Sequence, residues 1–590
     1  MVQKIGIDFG TTNSLISVVT LKGKVKSFTV RDRPHPSVVH YEGADIVCGT
    51  KAKNKLQQKT IGVQGNTVRG PKKFIGGSDF SVGGVMKNPK EVVTDLMNFL
   101  IEDARDQDDD GVADLKHAVV TIPVAMDGRG RQALREALLD AGIYIEMFIH
   151  EPLAALYGYF KSLPDSQNEL SKNEGRMILV FDWGGGTLDL TLCQVRNGSI
   201  VQIMNRGNNK VGGDYLDEAI LNYIEEKHAQ KYGWDVDTNK PRNPGMRAKL
   251  LEECEKAKID LSRRAKIDIW IDDYFNAEGE EAEIEHSLTR SELDAISKSI
   301  VEAGIGEIEF LLSQEQAHVD IQSVALCLAT GGMVNMPIIR QHLRELFGVA
   351  TLEVSDIGDR IISEGAAWVA HDDLCLTLAK PFELVEARNS LLTVIPEGTK
   401  LPSRGYTPDP FNQSMYCADP RDGKAVFTFK RPQMVGKTAS SDRRTTYENM
   451  VVPVNKDFPP MKERIDVSYE IDENLIIKIN AQSLDERVPQ ELQIFDLEFA
   501  LQISSIPPIK KPLRLVNFKG EQLGLTVRAN ISNDANAWEL VPGELLQEYN
   551  RKDENAYLKK QLTQLQKDES SFYQLCSRCH QRYKIGCCSI

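Results

Sequence analysis

No stretch of this 590-residue chain reaches eighteen consecutive apolar residues, so nothing in it reads as a membrane span. Positive charge is also in deficit. The 71 lysines and arginines against 85 aspartates and glutamates leave a formal net charge of −14, which excludes a general electrostatic footprint for nucleic acid or for an anionic membrane. Small molecules and other proteins are therefore the expected ligands. The opening MVQKIGIDFG enters a strand-like apolar run with neither a basic segment nor a long apolar core ahead of it, so no secretory signal is read and a soluble, cytoplasmic protein is expected. A paired cysteine pattern is missing from the body of the chain: Cys48, Cys193, Cys254, Cys327, Cys375 and Cys417 are scattered singly, which suits a reducing compartment. The other four cysteines crowd the last fifteen residues.

What is present is length and apolar residue in quantity. With 41% hydrophobic residues over 590 positions, the chain can bury several cores, and three or four domains are expected. Up to about residue 373, strand-like runs such as KIGIDFG, HAVVTIP, MILVFDWGG and VALCLATGG alternate with helical periods such as GRQALREALLDAG and PGMRAKLLEECEKAKIDLS, which is α/β grammar. Beyond residue 370 the helical signal fades. FELVEARNSLLTVIP, KAVFTFKRP, RIDVSYEIDENLIIKINAQ and ELQIFDLEFALQIS read as short strands split by Pro, Gly and Asp. At the join, Leu374, Leu376 and Leu378 alternate; the segment is either a linker or a first strand. A β-like piece at about 513–533 and a helical stretch at about 541–575 complete the pattern.

One phrase is written twice, about 174 residues apart: IDFGTTNS at Ile7–Ser14 and FDWGGGTLDL at Phe181–Leu190. A strand that stops at a glycine turn exposes backbone N–H groups that can cradle phosphate oxygens. Threonine adds a hydroxyl donor, and an aspartate at the strand end can hold hydrated Mg²⁺. Two such turns facing each other would clamp a polyphosphate, and a third, LATGGMVNMP at 328–337, is placed to receive the nucleoside end. Any one of them alone reads as an ordinary strand–turn–helix corner. Several carboxylates meeting a triphosphate cost about 1 kcal/mol per like-charge pair near 4 Å in water, and about 4 kcal/mol at an effective dielectric of 20. A divalent cation is therefore required.

The segments IGIDFGTTNSLISV, NTVRGPKKFIG, AVVTIPVAMDGRGRQALREALLDAG, HEPLAALYGY, ILVFDWGGGTLDLTL, VGGDYLDEAI, ECEKAKIDLS and ATGGMVNMPIIRQHL, in this order across residues 1–373, resemble the successive signatures of the seventy-kilodalton heat-shock protein family. The resemblance implies an α/β, actin-like (ribonuclease H-like, duplicated) two-lobed ATPase at 1–373 with Mg-ATP between the lobes. It implies a linker at 374–380, a β-sandwich-like peptide-binding domain at 381–505 and a divergent region at 506–590. By position, Gly10, Thr11 and Thr12 match the first phosphate loop, and Gly184, Gly185, Gly186 and Thr187 the second. Asp8, Asp182 and Asp189 match the carboxylates around Mg²⁺, Lys72 the catalytic lysine, and Glu151 the carboxylate that orients the attacking water. Pro123 and Arg131 match an allosteric proline switch and its arginine; Glu255, Lys258, Ser262, Gly331, Gly332 and Asp359 match the adenosine contacts. Taken singly, Lys72 reads as a solvated lysine and Glu151 as a helix N-terminal carboxylate before Pro152. The partners implied are unfolded or extended polypeptides, J-domain-type helpers and nucleotide-exchange proteins, with no nucleic acid and no membrane.

Three departures stand out. Met333 and Asn335 replace a hydroxyl and an arginine after the third glycine turn, and the loss of an adenine-stacking cation predicts nucleotide affinity weaker by roughly two- to thirty-fold. The family's long helical lid is not recognisable; Tyr557, Leu558, Leu562, Leu565 and Phe572 instead give one helix with a packing face. The tail CSRCHQRYKIGCCSI, with Cys576, Cys579, His580, Cys587 and Cys588, is compatible with free or redox-active thiols, with zinc, or with lipid or haem attachment. Two readings compete with an ATP-driven chaperone: a nucleotide-gated co-chaperone with little turnover, and a cytoskeletal or sugar-kinase relative sharing only the clamp.

Overall fold

The computed structural model describes residues 2–56, 61–208, 210–234, 240–313, 317, 319–349, 351–355, 358, 360–386, 390–435, 443–503, 515–516 and 540–542. They fall into two units, Met1–Leu374 and Cys375–Ile590, the first mixed α/β and the second β-rich.

The first unit writes one topology twice. Strands β1 (Gln3–Phe9), β2 (Asn13–Val19) and β3 (Val25–Phe28) form an antiparallel meander. Strand β4 (Ala113–Ile122) lies parallel to β1, and β5 (Tyr144–His150) parallel to β4. The strand order is β5-β4-β1-β2-β3. Strands β6 (Met177–Trp183), β7 (Leu188–Arg196), β8 (Ser199–Asn208), β9 (Val324–Thr330) and β10 (Leu352–Val354) repeat it as β10-β9-β6-β7-β8, with the same parallel and antiparallel pairs. The near-continuous Val, Ile and Leu content of these strands fits sheets covered on both faces.

Helices cover those faces, and their ends are written in the sequence. Asp127 caps Gly128–Asp140 by accepting from the Gly130 amide at 2.7 Å, and Asn243 caps Pro244–Leu261. Helix Ile361–His371 runs directly over β1. A side chain at Gly6 would sit 2.2 Å from the Ala367 amide nitrogen, so β1 admits only glycine there. The same helix crosses Glu151–Ser162 at Gly158 and Gly365, where the backbones meet without side chains between them.

In the second unit all pairing among the described residues is antiparallel. One sheet takes Arg444–Thr446, Phe429–Pro432, Phe382–Glu386, Ser390–Ile395 and Leu515–Val516 in that order; the other takes Gln490–Ile494, Ile477–Ser483, Arg464–Ile471, Phe411–Cys417 and Leu540–Pro542. Phe382 of the first sheet stacks on Phe429 at 5.1 Å between ring centroids, and Phe429 meets Tyr469 of the second sheet edge-on at 6.2 Å. Lys380, Glu498 and Arg431 form a buried ion cluster, with Lys380 Nζ 3.2 Å and Arg431 Nη1 2.9 Å from Glu498.

At the join, Cys375–Leu378 is a strand paired with Phe499–Gln502, so of the two readings left open the chain takes the strand. The helix expected from about 541 starts on residues that are strand, Leu540–Pro542. The rest of that stretch, the Cys-rich tail and Asp359 lie outside the described residues. None of the six scattered cysteines forms a disulfide, and no described helix is long and apolar enough to cross a membrane.

Candidate active site

The twice-written phrase lands at equivalent places in the two sheets. Asp8 lies near the end of β1 and Asp182 near the end of β6, each followed by a glycine turn into the next antiparallel strand. Gly10 is obligatory in the first turn, because a Cβ there would lie 2.1 Å from the Asn13 carbonyl oxygen. The second turn closes when the Gly184 amide donates to the Thr187 carbonyl at 2.9 Å, and the amides of Gly213 and Asp214 donate back to the carbonyls of Gly184 and Gly185 at 3.1 and 2.7 Å. The turns face each other: the Thr12 hydroxyl lies 3.4 Å from the position a Cβ on Gly185 would take.

Beneath the turns sits a cluster of carboxylates. Asp8 accepts from the Thr121 hydroxyl at 2.9 Å, and Asp189 from the Thr187 hydroxyl at 2.9 Å. Asp182 stands opposite Asp189 on β7 and Thr330 on β9. Burial, followed by the charge of Glu151, holds the Asp8 carboxyl up to about 6. Asp182 is pushed up to about 7 by burial and by Asp189, Glu151 and Asp8, and Asp189 to about 6 by burial and Glu151. Glu151 opens its helix and pairs with Lys72 Nζ at 2.6 Å. Lys72 arrives through a left-handed Gly70 (φ 68°) and Pro71, a turn that aims an almost fully buried lysine at the carboxylates.

The nucleoside-end candidates gather less completely. Lys258 donates from Nζ to the Gly213 carbonyl at 3.0 Å and pairs with Asp217 at 2.6 Å. Burial outweighs that lysine and holds Asp217 up to about 6. The Sδ of Met333 and Lys258 Nζ both lie 3.1 Å from the Cβ position of Gly213, which joins the third glycine turn to the second. Gly331 (φ 85°) fits against Asp182 Oδ1, with only 2.6 Å to the site of a Cβ, whereas Gly332 faces open space. Glu255 pairs with Lys53 at 3.6 Å, and Ser262 ends the helix with its hydroxyl 3.5 Å from the Lys258 carbonyl.

Arg131, fully buried, donates from Nε to Met126 O at 2.9 Å, in the turn that starts at Pro123. Burial, followed by the charge of Arg131, presses His150, next to Glu151, down to about 3. A chain of neighbouring groups therefore runs from the Pro123 turn to Glu151. Sequence reasoning missed Thr121, Thr330 and Arg340, whose guanidinium holds Val334 O at 2.8 Å and Asn335 Oδ1 at 2.7 Å. Only the identical strand positions of Thr121 and Thr330 beside the two aspartates offered a signal.

Among the described residues no three acidic, histidine or cysteine side chains converge as a closed metal cage. Mg²⁺ generally keeps several waters and is held through one or two carboxylates and the substrate's phosphates. Asp8, Asp182 and Asp189, half-buried and with their carboxyls pushed up, are the residues that would hold such an ion.

Comparison with known proteins gives the family. The family model described as Hsp70 protein matches residues 4–98 and 78–372. Chaperone protein DnaK of Mycoplasmopsis synoviae is 26% identical over 507 residues, covering 83% of this chain and 78% of that protein. Those of Thermotoga petrophila and Thermotoga maritima are each 28% identical over 512 residues, covering 83% of this chain and 80% of theirs. A family match that takes in both glycine turns, the Lys72–Glu151 pair and the whole duplicated α/β unit makes this chain a member of the Hsp70 family.

Proposed function

We propose that the chain is an ATP-dependent molecular chaperone, in which hydrolysis of Mg-bound ATP in an actin-like first domain, 1–373, governs capture and release of extended apolar peptide by a β-sandwich-like domain at 381–505. The observation that carries this reading is the pair of facing glycine turns set over Asp8, Asp182, Asp189 and the Lys72–Glu151 pair. The clients are unfolded polypeptides, J-domain-type and nucleotide-exchange proteins are the helpers, and the cytoplasm is the place of action.

In this reading the amides and hydroxyls of Gly10–Thr12 and Gly184–Thr187 bind the phosphate oxygens, and Asp8, Asp182 and Asp189 hold the waters of Mg²⁺. The ion neutralises charge on the transferring phosphoryl group when bound. Glu151 orients the attacking water, and Lys72, fixed by Glu151, meets the charge that develops on the γ-phosphate. Lys258, Glu255, Ser262, Gly331 and Gly332 line the adenosine end. Pro123 and Arg131 pass the state of the site outward through His150, which stays neutral at physiological pH and so does not add a cation beside Glu151.

Steady-state ATP turnover is expected to require Mg²⁺ and to rise several-fold when an extended apolar peptide is added. Tight ATP retention with no turnover under either condition would remove hydrolysis from the reading and leave a nucleotide-gated co-chaperone.

The carboxylates also set a pH dependence. Folding raises Asp8, Asp182 and Asp189 above their unfolded values, so the folded chain binds more protons. Without ligand, their contribution is least unfavourable below the unfolded pKa and worsens as pH rises through about 6 to 7. Protons and Mg²⁺ compete for the same oxygens. The rise in melting temperature on adding Mg-ATP is therefore expected to be larger at about pH 8 than at about pH 5.5; equal shifts would separate these carboxylates from the ion.

A further inference from the structure

Arg69 ends strand Thr67–Arg69, immediately before the Gly70–Pro71 turn that delivers Lys72. The backbone there is pressed against the first phosphate turn, since a Cβ on Gly70 would lie 3.2 Å from the Thr11 carbonyl oxygen. Arg69 is 5% exposed, and its Nη2 reaches Asp214 Oδ1 at 3.4 Å, a long contact across 145 residues of sequence. Asp214 sits in the first turn of helix Gly213–Tyr232, and its Oδ1 is 3.3 Å from the Cβ position of Gly185. Arg69 therefore links the backbone that borders the first glycine turn to a carboxylate that borders the second. Its Nη1 is buried and makes no hydrogen bond among the described residues.

A guanidinium cannot shed its proton, and a buried donor left idle costs free energy. Arginine also presents two parallel N–H groups, the geometry that suits a phosphate. The acceptor that fits an idle N–H between two phosphate-type turns is an anionic oxygen arriving with the ligand. We propose that Arg69 is a phosphate-binding residue of the nucleotide site. Nη1 donates to a non-bridging oxygen of the polyphosphate while Nη2 stays on Asp214, so the nucleotide's tail ties the strand that carries Lys72, from the first half of the unit, to the helix that follows the second turn. This rests on the nucleotide reading above and goes beyond it, because no part of that reading uses Arg69 or Asp214.

The test is calorimetric titration of the full chain with Mg-ATP and, separately, with adenosine. R69Q is expected to weaken ATP binding about ten- to hundred-fold, the range for hydrogen bonds to charged groups, while adenosine affinity changes less than about two-fold. R69K keeps the charge but cannot hold Asp214 and phosphate together through one fork, so a loss of about three- to ten-fold in ATP affinity, again sparing adenosine, is expected. ATP affinity within about two-fold of the parent in R69Q overturns the proposal, as does an equal loss for ATP and adenosine, which would mark a structural role. Should R69Q melt too low for titration, parent-like ATP affinity in R69K overturns it instead. Failure of the parent itself to bind ATP would reject the nucleotide reading, an outcome distinct from either.

Discussion

Lys72→Ala is expected to lower Mg-ATP turnover about 10²- to 10³-fold, the usual effect of deleting one preorganised group aimed at developing charge. Lys72 Nζ lies 2.6 Å from Glu151 in an almost fully buried position, and its charge also acts on Asp8 and Asp189, holding both carboxyls lower than burial alone would. In the proposed reading, removing it deletes the cation that would meet the γ-phosphate, and it frees Glu151 from its ion-pair partner. It also takes a positive charge away from the carboxylates, which then repel one another more strongly. Turnover equal to the parent's would remove Lys72 from catalysis. A variant that retains ATP binding while losing turnover separates this from unfolding.

Gly365→Ala is expected to produce the largest loss of stability available from one methyl group in the first unit. The added Cβ would lie 1.8 Å from the Ala154 carbonyl oxygen and 3.1 Å from the Gly158 amide, and both neighbours are backbone, which cannot rotate away as a side chain can. Helices Ile361–His371 and Glu151–Ser162 must separate, and the first of them also lies on β1 at Gly6. Overpacking of this kind costs about 3 kcal/mol at the upper end of its range. Glu151 opens the displaced helix, so ATP turnover should fall with the melting temperature. A melting temperature unchanged from the parent's would mean that this crossing does not hold the unit together. The exposed Gly142 at φ 78°, with nothing within 4 Å of its Cβ position, is the control, where substitution costs only backbone strain.

Much of the site could be read as text because its parts are local. A strand, an aspartate, a glycine turn and a threonine are contiguous in sequence, and both copies at Asp8 and Asp182 fold as strand-end turns. Caps at Asp127, Asn243 and Thr289 likewise announce helices within a few residues. The partners that were missed are remote. Thr121 reaches Asp8 across 113 residues, and Arg69 reaches Asp214 across 145; neither has a local signature, since a threonine in a strand and a basic residue at its end are ordinary. Arg340 reads as a helix-surface arginine until the helix folds it back on Asn335. At the join, the alternation of Leu374, Leu376 and Leu378 fits either a linker or a strand, and only pairing with Phe499–Gln502 decided it.

By itself the sequence determined the chemistry on offer: two aspartate–glycine–threonine turns, a lysine after Gly-Pro, a carboxylate before Pro152, and a change from α/β to β grammar near residue 373. Those follow from bonds and periods that span a few residues. The tertiary structure decided which of these groups share a dielectric environment. Desolvation and mutual charge at Asp8, Asp182 and Asp189 raise their pKa values, and the approach of Thr12 to Gly185 sets two loops remote in sequence face to face. Electrostatic strength depends on distance and on water excluded, and neither is a property of a residue's neighbours along the chain.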